Sequence, residues 1–144
     1  MNVLLSIRPE YTEKILSGEK RYEFRKRKPK EIVGKVFIYE CHPSKRIVGW
    51  FSVRTIHSGS PEEIWERCKN SSGINKESYL AYCNGRKIIY AFEIDQILRF
   101  EYPVNPFENI PDFKPPQDFE YFDENAVPGI VEDKGDVRQC LSLG

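Results

Sequence analysis

Five short runs of strand-forming residues between residues 2 and 98 constrain the fold more than any other feature of the sequence. They read NVLLSI, KRYEFRK, KVFIYEC, IVGWFSV and KIIYAFEIDQIL. β-branched and aromatic residues dominate these runs, and several alternate apolar with polar positions, which is typical of a strand with one face in a core. The sequence therefore predicts a fold built mainly from β-strands, with a bulge or bend at Gly49.

The helical signals are fewer and shorter. A first helix is predicted over residues 9–17, because proline at its start suits the first helical position. Ser60 is predicted to cap a second helix, and Asn75 or Ser78 a third, KESYLAYC, with Leu80 among its buried residues. Short strands with few helices predict a mainly β, α+β fold: a small closed or half-closed barrel with helices at its openings.

The domain organisation follows from the length and from the proline pattern. A chain of 144 residues suits one domain. We assign residues 1–125 to that domain, including an extended Pro- and Phe-rich segment anchored by Phe107, Phe113 and Phe119. Residues 126–144 are predicted to be a loose acidic tail. The start of the chain lacks the features of a signal peptide. No apolar run approaches the ~20 residues that a membrane span requires, so we expect a soluble, cytoplasmic protein.

The whole chain has no net charge, but its charged residues are unevenly distributed along the sequence. The chain has 22 basic and 22 acidic residues, yet seven of its Lys and Arg residues fall between Lys20 and Lys30, around a single glutamate, Glu23. Residues 101–144 carry the opposite excess, with 3 basic and 10 acidic side chains. Either the basic stretch forms a site for an anion, or it is a solvated strand face with alternating charge, or the acidic end folds over it.

The residues within the basic stretch are suited to a binding site, with the solvated strand face as the alternative. Lys20 lies at a helix-to-strand junction, where a side chain can reach a cleft. Glu23 and Arg25 are two apart on a strand and so share a face. Arginine suits phosphate, and Glu23 is expected to keep Lys20 protonated, which favours binding over catalysis. Ser6 and Arg8, at the end of the first strand, are predicted to line the same cleft, whereas Lys26 would add attraction for phosphates.

Other site chemistry finds no support in the sequence. Its cysteines form no CxxC pair, its two histidines are not spaced as zinc ligands, and no Walker-type, GxGxxG or GxSxG motif occurs. We predict neither a metal nor a cofactor.

The stretch LLSIRPEYTEKILSGEKRYEFRKR resembles the ASCH domain family, a branch of the PUA-like superfamily. The family motif GxKxxExR is complete here as Gly18, Lys20, Glu23 and Arg25. The phrase PPQDFEYF near the end is also similar to the family, and the resemblance covers residues 2–123. It implies a PUA-like β-barrel with a cleft between barrel and helices, and a ligand that is RNA, a nucleotide or a nucleoside derivative.

The resemblance leaves the activity open between three functions. The first is binding of RNA or a nucleotide by Lys20, Glu23 and Arg25. The second is hydrolysis of RNA or of a modified nucleoside. One branch of the family hydrolyses N-acetylated cytidine with the motif lysine, a threonine and a helix glutamate; here Glu23 stands at the threonine position and Glu77 is the nearest helix glutamate. The third is a ligand-sensing or partner-binding module that interacts through its tail.

Overall fold

The computed structural model describes residues 1–31, 33–132 and 137–140, and its central feature is one curled sheet. Within the described residues the sheet has seven strands in the order β2-β5-β4-β3-β1-β6, with β7 paired to β5. The strands are β1 (Val3–Ile7), β2 (Tyr22–Arg25), β3 (Lys35–Glu40), β4 (Arg46–Gly59), β5 (Ile89–Val104), β6 (Phe119–Tyr121) and β7 (Val137–Gln139). The helices are α1 (Pro9–Leu16), α2 (Pro61–Cys68), α3 (Lys76–Cys83), α4 (Pro106–Asn109) and α5 (Pro128–Glu132).

The sheet curves far enough to bring distant strands together. Strands β1 and β2 are separated by three others in the sheet order, yet the Arg25 guanidinium on β2 donates a hydrogen bond to the Ser6 carbonyl on β1 at 3.0 Å. The expected mainly β, half-closed barrel with a few short helices is therefore confirmed.

The helix starts follow the capping signals of the sequence. The Ser60 hydroxyl accepts a hydrogen bond from the Glu63 amide, as predicted, and Asn75, not Ser78, caps α3. The prediction that Leu80 is buried is wrong, since it is 44% exposed. Tyr79 and Cys83 form the buried face of α3, and Leu80 lies about 100° further around the helix.

The two longest strands carry the sheet's irregularities. The predicted bulge or bend at Gly49 is confirmed by register shifts between β4 and β5 on both sides of this region. Ile88, near the start of the run KIIYAFEIDQIL, is 52% exposed. Ile89 and Ala91 are buried instead, since α2 and α3 cover that face of β5.

Among the described residues the core falls into three groups, of which one positions the candidate site. Residues of β2, α2, α3 and β5 pack together, and Phe24 contacts the Tyr79 ring with the ring centroids 5.0 Å apart. This packing fixes α3 beside β2, so one side of α3 and the end of β1 face each other across a gap.

The C-terminal part of the chain packs more closely than its composition indicates. Phe113 and Phe119 contact the core as anchors, and Phe107, although 46% exposed and part of α4, contacts the rings of Phe113 and Tyr39 with centroids 5.0 and 6.3 Å apart. The segment from residue 126 on was predicted to be loose, whereas Val127 and Ile130 are buried and β7 extends the sheet. The rest of the predicted tail, residues 133–136 and 141–144, lies outside the described residues, and a boundary at residue 125 remains a prediction.

None of the helices in the described part of the chain combines the length and the apolar character that crossing a membrane requires.

Candidate functional site

A pocket of about 530 Å³ lies between the end of β1, the start of α1, strand β2 and helix α3. Its size is within the usual range for pockets that hold a small molecule or a single nucleotide. Its lining residues are Ser6, Ile7, Arg8, Tyr11, Lys20, Glu23, Phe24, Arg25, Ile74, Ser78, Tyr79, Ala81 and Tyr82.

Lys20 reaches this pocket through a tight turn after α1. Gly18 has a φ of +87°, a left-handed conformation that suits glycine, and the turn directs Lys20 inward. The Lys20 side chain is buried, with its Nζ donating to the Ser72 carbonyl at 2.6 Å and lying 4.8 Å from the centre of the Phe24 ring. Lys20 thus contributes a desolvated ammonium to the pocket.

Burial determines the direction in which the Lys20 pKa moves. Removal of water from around the ammonium lowers its pKa below the ordinary value, and the nearby Glu23 carboxylate opposes this only in part. Glu23 acts on Lys20 in the expected direction, because its carboxylate favours the charged form, but the effect of burial on the pKa is larger. Lys20 releases its proton more readily than a surface lysine, which makes it suitable for proton transfer as well as for anion binding.

Glu23 and Arg25 form a buried ion pair at the pocket floor. Glu23 Oε1 and Arg25 Nη2 lie 3.1 Å apart, and each residue is less than a tenth exposed. A solvated strand face with alternating charge is thus excluded. Tyr22 and Phe24, on the opposite face of β2, are also buried, because they pack under α2 and α3.

Two atoms of this pair have no hydrogen-bond partner among the described residues, namely Glu23 Oε2 and Arg25 Nε, and both are buried. A buried polar atom left without a partner costs about 1–3 kcal/mol. Such a cost is common where a bound molecule completes the hydrogen bonding.

The other predicted site residues lie at different places around the pocket. Ser6 and Arg8 line it, and the Ser6 hydroxyl donates to the Pro116 carbonyl at 2.7 Å. Lys26 lies beside the pocket, with its Nζ 4.9 Å from the centre of the Tyr82 ring. Glu77, the helix carboxylate considered for catalysis, is exposed on α3 and lies outside the pocket lining.

The sequence reasoning missed the contributions of α1 and α3. Tyr11, Ile74, Ser78 and Tyr82 all line the pocket. Ser78 and Tyr82 are four residues apart and so share a face of α3, which is a pattern that the sequence contains. For Ile74 no local pattern exists, since its position depends on a loop that approaches Lys20 from more than fifty residues away.

The chemistry of the pocket favours an anionic or polar ligand over a metal. Two buried cations and one buried carboxylate give the floor an excess of positive charge when Lys20 is protonated. Divalent metals require several oxygen, nitrogen or sulfur ligands, and the described residues contain no group of three or more His, Cys, Asp or Glu side chains arranged to hold one.

The profile of the ASCH domain matches residues 5–103 of this chain. The chain belongs to the ASCH domain family. A curated relative, the ASCH domain-containing ribonuclease of Zymomonas mobilis subsp. mobilis, is 27% identical over 135 residues, which cover 89% of this ASCH chain and 88% of the relative.

The fold of this ASCH chain is similar to that of solved ASCH proteins. The crystal structure of ASCH from Zymomonas mobilis superposes with a TM-score of 0.83 at 25% identity, over 90% of this chain and 93% of that one. A variant of the same protein gives a TM-score of 0.83, also at 25% identity, with 90% and 94% covered. Both similarities extend well beyond the GxKxxExR motif, which agrees with the PUA-like architecture described above.

Proposed function

We propose that this ASCH protein binds RNA by taking one nucleotide into the pocket between β2 and α3. The observation that carries the proposal is the buried set of Lys20, Glu23 and Arg25, in which two polar atoms have no partner within the described chain. The name of the Zymomonas mobilis relative, a ribonuclease, supports RNA as the ligand.

The unsatisfied atoms require a ligand that both donates and accepts hydrogen bonds. Glu23 Oε2 accepts only, and Arg25 Nε–H donates only. A ribose 2′-hydroxyl does both, and it is the group that distinguishes RNA from DNA. Because the two atoms are covered by their neighbours, a small rotation of the side chains has to accompany binding, and the relief of two unsatisfied groups favours that rotation.

The remaining groups fit the rest of a nucleotide. The Lys20 ammonium keeps two N–H donors beyond the one used by the Ser72 carbonyl, and these suit a phosphate oxygen. The rings of Tyr11 and Tyr82 provide faces on which an unpaired base stacks.

RNA binding is tested with a short RNA and a DNA of the same sequence, titrated against the parent and against Lys20→Met and Arg25→Lys. We expect a preference for RNA, and a loss of about 1–3 kcal/mol in binding free energy for each variant, the size of a charged hydrogen bond. A matched control is Lys87→Met, which removes an exposed lysine outside the pocket lining. Equal affinities for RNA and DNA, or equal losses in all three variants, would reject the proposal.

RNA cleavage is a second candidate function, favoured by the lowered pKa of Lys20. In a transesterification the 2′-hydroxyl loses a proton while its oxygen bonds to the adjacent phosphorus. The bond from phosphorus to the 5′-oxygen breaks, and that oxygen gains a proton. Glu23 would take the first proton, Lys20 would give the second, and Arg25 would stabilise the charge on phosphorus.

Cleavage is tested by incubating the parent with a labelled RNA and identifying the new ends. A 2′,3′-cyclic phosphate and a 5′-hydroxyl are the products that this route gives, and Glu23→Gln and Lys20→Met should abolish them. Release of acetate from N-acetylated cytidine is measured in parallel, because the related amidohydrolase chemistry would use Lys20 in a different reaction. RNA that is bound and not cut would leave the protein as a binder.

A further inference from the structure

The loop of residues 71–74 contacts Lys20 more closely than any feature of the sequence indicates. It follows α2 and a short 3₁₀ turn, and it lies against the junction between α1 and β2. The proposed function uses Lys20 but does not explain how a buried ammonium is held in one place.

Three consecutive carbonyl groups of this loop accept hydrogen bonds from the same neighbouring segment. The Arg21 amide donates to the Ser71 carbonyl at 2.9 Å, and Lys20 Nζ donates to the Ser72 carbonyl at 2.6 Å. Lys14 Nζ donates to the Gly73 carbonyl at 3.1 Å. The loop is therefore bonded along its length to residues 14–21, and one of its carbonyl groups, that of Ser72, accepts from Lys20.

Gly73 permits this contact for two reasons. Its φ of +65° is in the left-handed region, and a Cβ built on it would lie 2.6 Å from Lys20 Cβ and 2.7 Å from Lys20 Cγ. These Lys20 atoms are close to the backbone, so they cannot move aside as the end of a long side chain can. Any side chain at position 73 would therefore push Lys20 away or move the loop.

Ser72 makes the loop rigid from within. It is 3% exposed, and the single hydrogen of its hydroxyl can be donated to the carbonyl of Lys69 or Ile74, which lie 3.3 and 3.0 Å from the Ser72 oxygen. The Ser72 carbonyl thus has a fixed position, which is required of a group that holds a charged side chain.

We infer that the loop of residues 71–74 holds Lys20 in position. Gly73 allows the loop to contact the lysine closely, and Lys14 binds the loop to α1. The functional role of this loop rests on the proposed function, but the position of Lys20 can be measured whether or not the protein binds RNA. Gly73 and Lys14 act through Lys20 and are positioning residues, not catalytic ones.

Lys14 also affects the charge of Lys20. Its ammonium lowers the pKa of Lys20 by repulsion, in the same direction as the larger effect of burial. The charged and titratable groups that shift the Lys20 pKa are Lys14 on α1, Glu23 and Arg25 on β2, and Cys68 on α2, and the Tyr11 ring on α1 lies 5.4 Å from Lys20 Nζ.

The experiment follows the NMR signal of the Lys20 side chain through a pH titration in Gly73→Ala and Lys14→Gln. Gly85→Ala is the matched control for Gly73, because Gly85 also has a positive φ, +75°, but has nothing within 4 Å of a built Cβ. Lys87→Gln is the control for the loss of an exposed lysine charge.

We expect Gly73→Ala to move the Lys20 signal and to weaken RNA affinity about tenfold, the effect of losing one well-placed charged hydrogen bond. Gly85→Ala should leave both unchanged, although both variants place a Cβ on a left-handed residue. Lys14→Gln should raise the titration midpoint of Lys20, because a neighbouring positive charge is lost, and Lys87→Gln should not.

The inference is overturned if Gly73→Ala and Gly85→Ala give the same Lys20 signal, or if Lys14→Gln leaves the Lys20 midpoint in place. Should Gly73→Ala fail to fold, Lys14→Gln still decides. If the parent binds no RNA, the proposed function fails, while the Lys20 titration continues to test the positioning role.

Discussion

Glu23 Oε1 and Arg25 Nη2 lie 3.1 Å apart within a pair whose side chains are 9% and 10% exposed. This pair balances its own charge, so Lys20 is left as the excess charge of the pocket floor. Breaking the pair would leave one buried charge with too few partners, whereas removing both members would not.

Stability measurements should show this coupling. Arg25→Met is expected to lower the free energy of unfolding by about 3–5 kcal/mol, because the Glu23 carboxylate stays buried without its main partner. The double variant Glu23→Gln/Arg25→Met should lose less than the sum of the two single variants. Urea unfolding of all four proteins gives the coupling energy.

Arg99→Met is the control for that cycle, since the ion pair of Arg99 with Glu13 is exposed to 51% and 68%. Its loss should change stability by about 0–1 kcal/mol. Strict additivity of the Glu23 and Arg25 effects would contradict a coupled buried pair.

The burial of Lys20 predicts a pH dependence of stability. Its pKa is lower in the folded protein than in the unfolded chain, so between these two values the unfolded chain binds more protons. Stability from this group therefore rises as the pH increases through that window and is reduced below it. Lys20→Met removes the effect. Its unfolding free energy relative to the parent should fall as the pH is raised from neutral towards 10.5.

The exposed Lys87→Met variant is compared over the same pH range and should keep a constant difference from the parent. Pulse proteolysis or urea titration at each pH provides the free energies. A difference between Lys20→Met and the parent that does not change with pH would show that burial has no net effect on the protonation of Lys20.

The salt dependence of RNA affinity distinguishes the contribution of the exposed basic residues after β2 from that of the buried pocket residues. Under the proposed function, the logarithm of RNA affinity should fall with the logarithm of salt concentration by about 0.7 per neutralised phosphate of a single strand. Lys28, exposed just after β2, should contribute to this slope, so Lys28→Ala should make it shallower. Lys87→Ala should not. Affinity that is flat with salt would exclude a phosphate-led mode of binding.

A substitution at Gly49, which does not line the pocket, should have a large effect on stability. A Cβ at this position would lie 2.2 Å from the Leu98 carbonyl oxygen, and this oxygen belongs to the paired backbone of β5. Gly49→Ala should therefore destabilise the fold strongly, in contrast to Gly85→Ala, where a built Cβ is free of neighbours. Thermal unfolding of the two variants measures the difference, and equal midpoints would contradict the close approach.

The sequence predicts the local features of this fold better than the long-range ones. The cap at Ser60, the bulge near Gly49 and the short first helix each depend on neighbouring residues, and each is found. The solvent exposure of Ile88 and Leu80 depends on which face α2 and α3 cover, and this is not a local property.

The candidate site likewise has local features that the sequence predicts and long-range features that it does not. The motif places Lys20, Glu23 and Arg25 on one short segment, and the structure brings all three into one pocket with Ser6 and Arg8. The burial of Lys20 was not predictable from local sequence, because it depends on contacts with Ser72 and Gly73, which are more than fifty residues further along the chain. The sequence indicated the effect of Glu23 on the Lys20 pKa but not the larger, opposite effect of burial.

Strand β7 has a consequence for how the protein behaves in concentrated solution. It pairs with residues 96–98 of β5, on the edge that β2 leaves uncovered beyond residue 93. A bare strand edge is a template for another chain, and proteins that expose one tend to aggregate. A shortened form that ends before residue 137 would open this edge. We therefore expect a form without β7 to self-associate more readily than the parent as its concentration is raised.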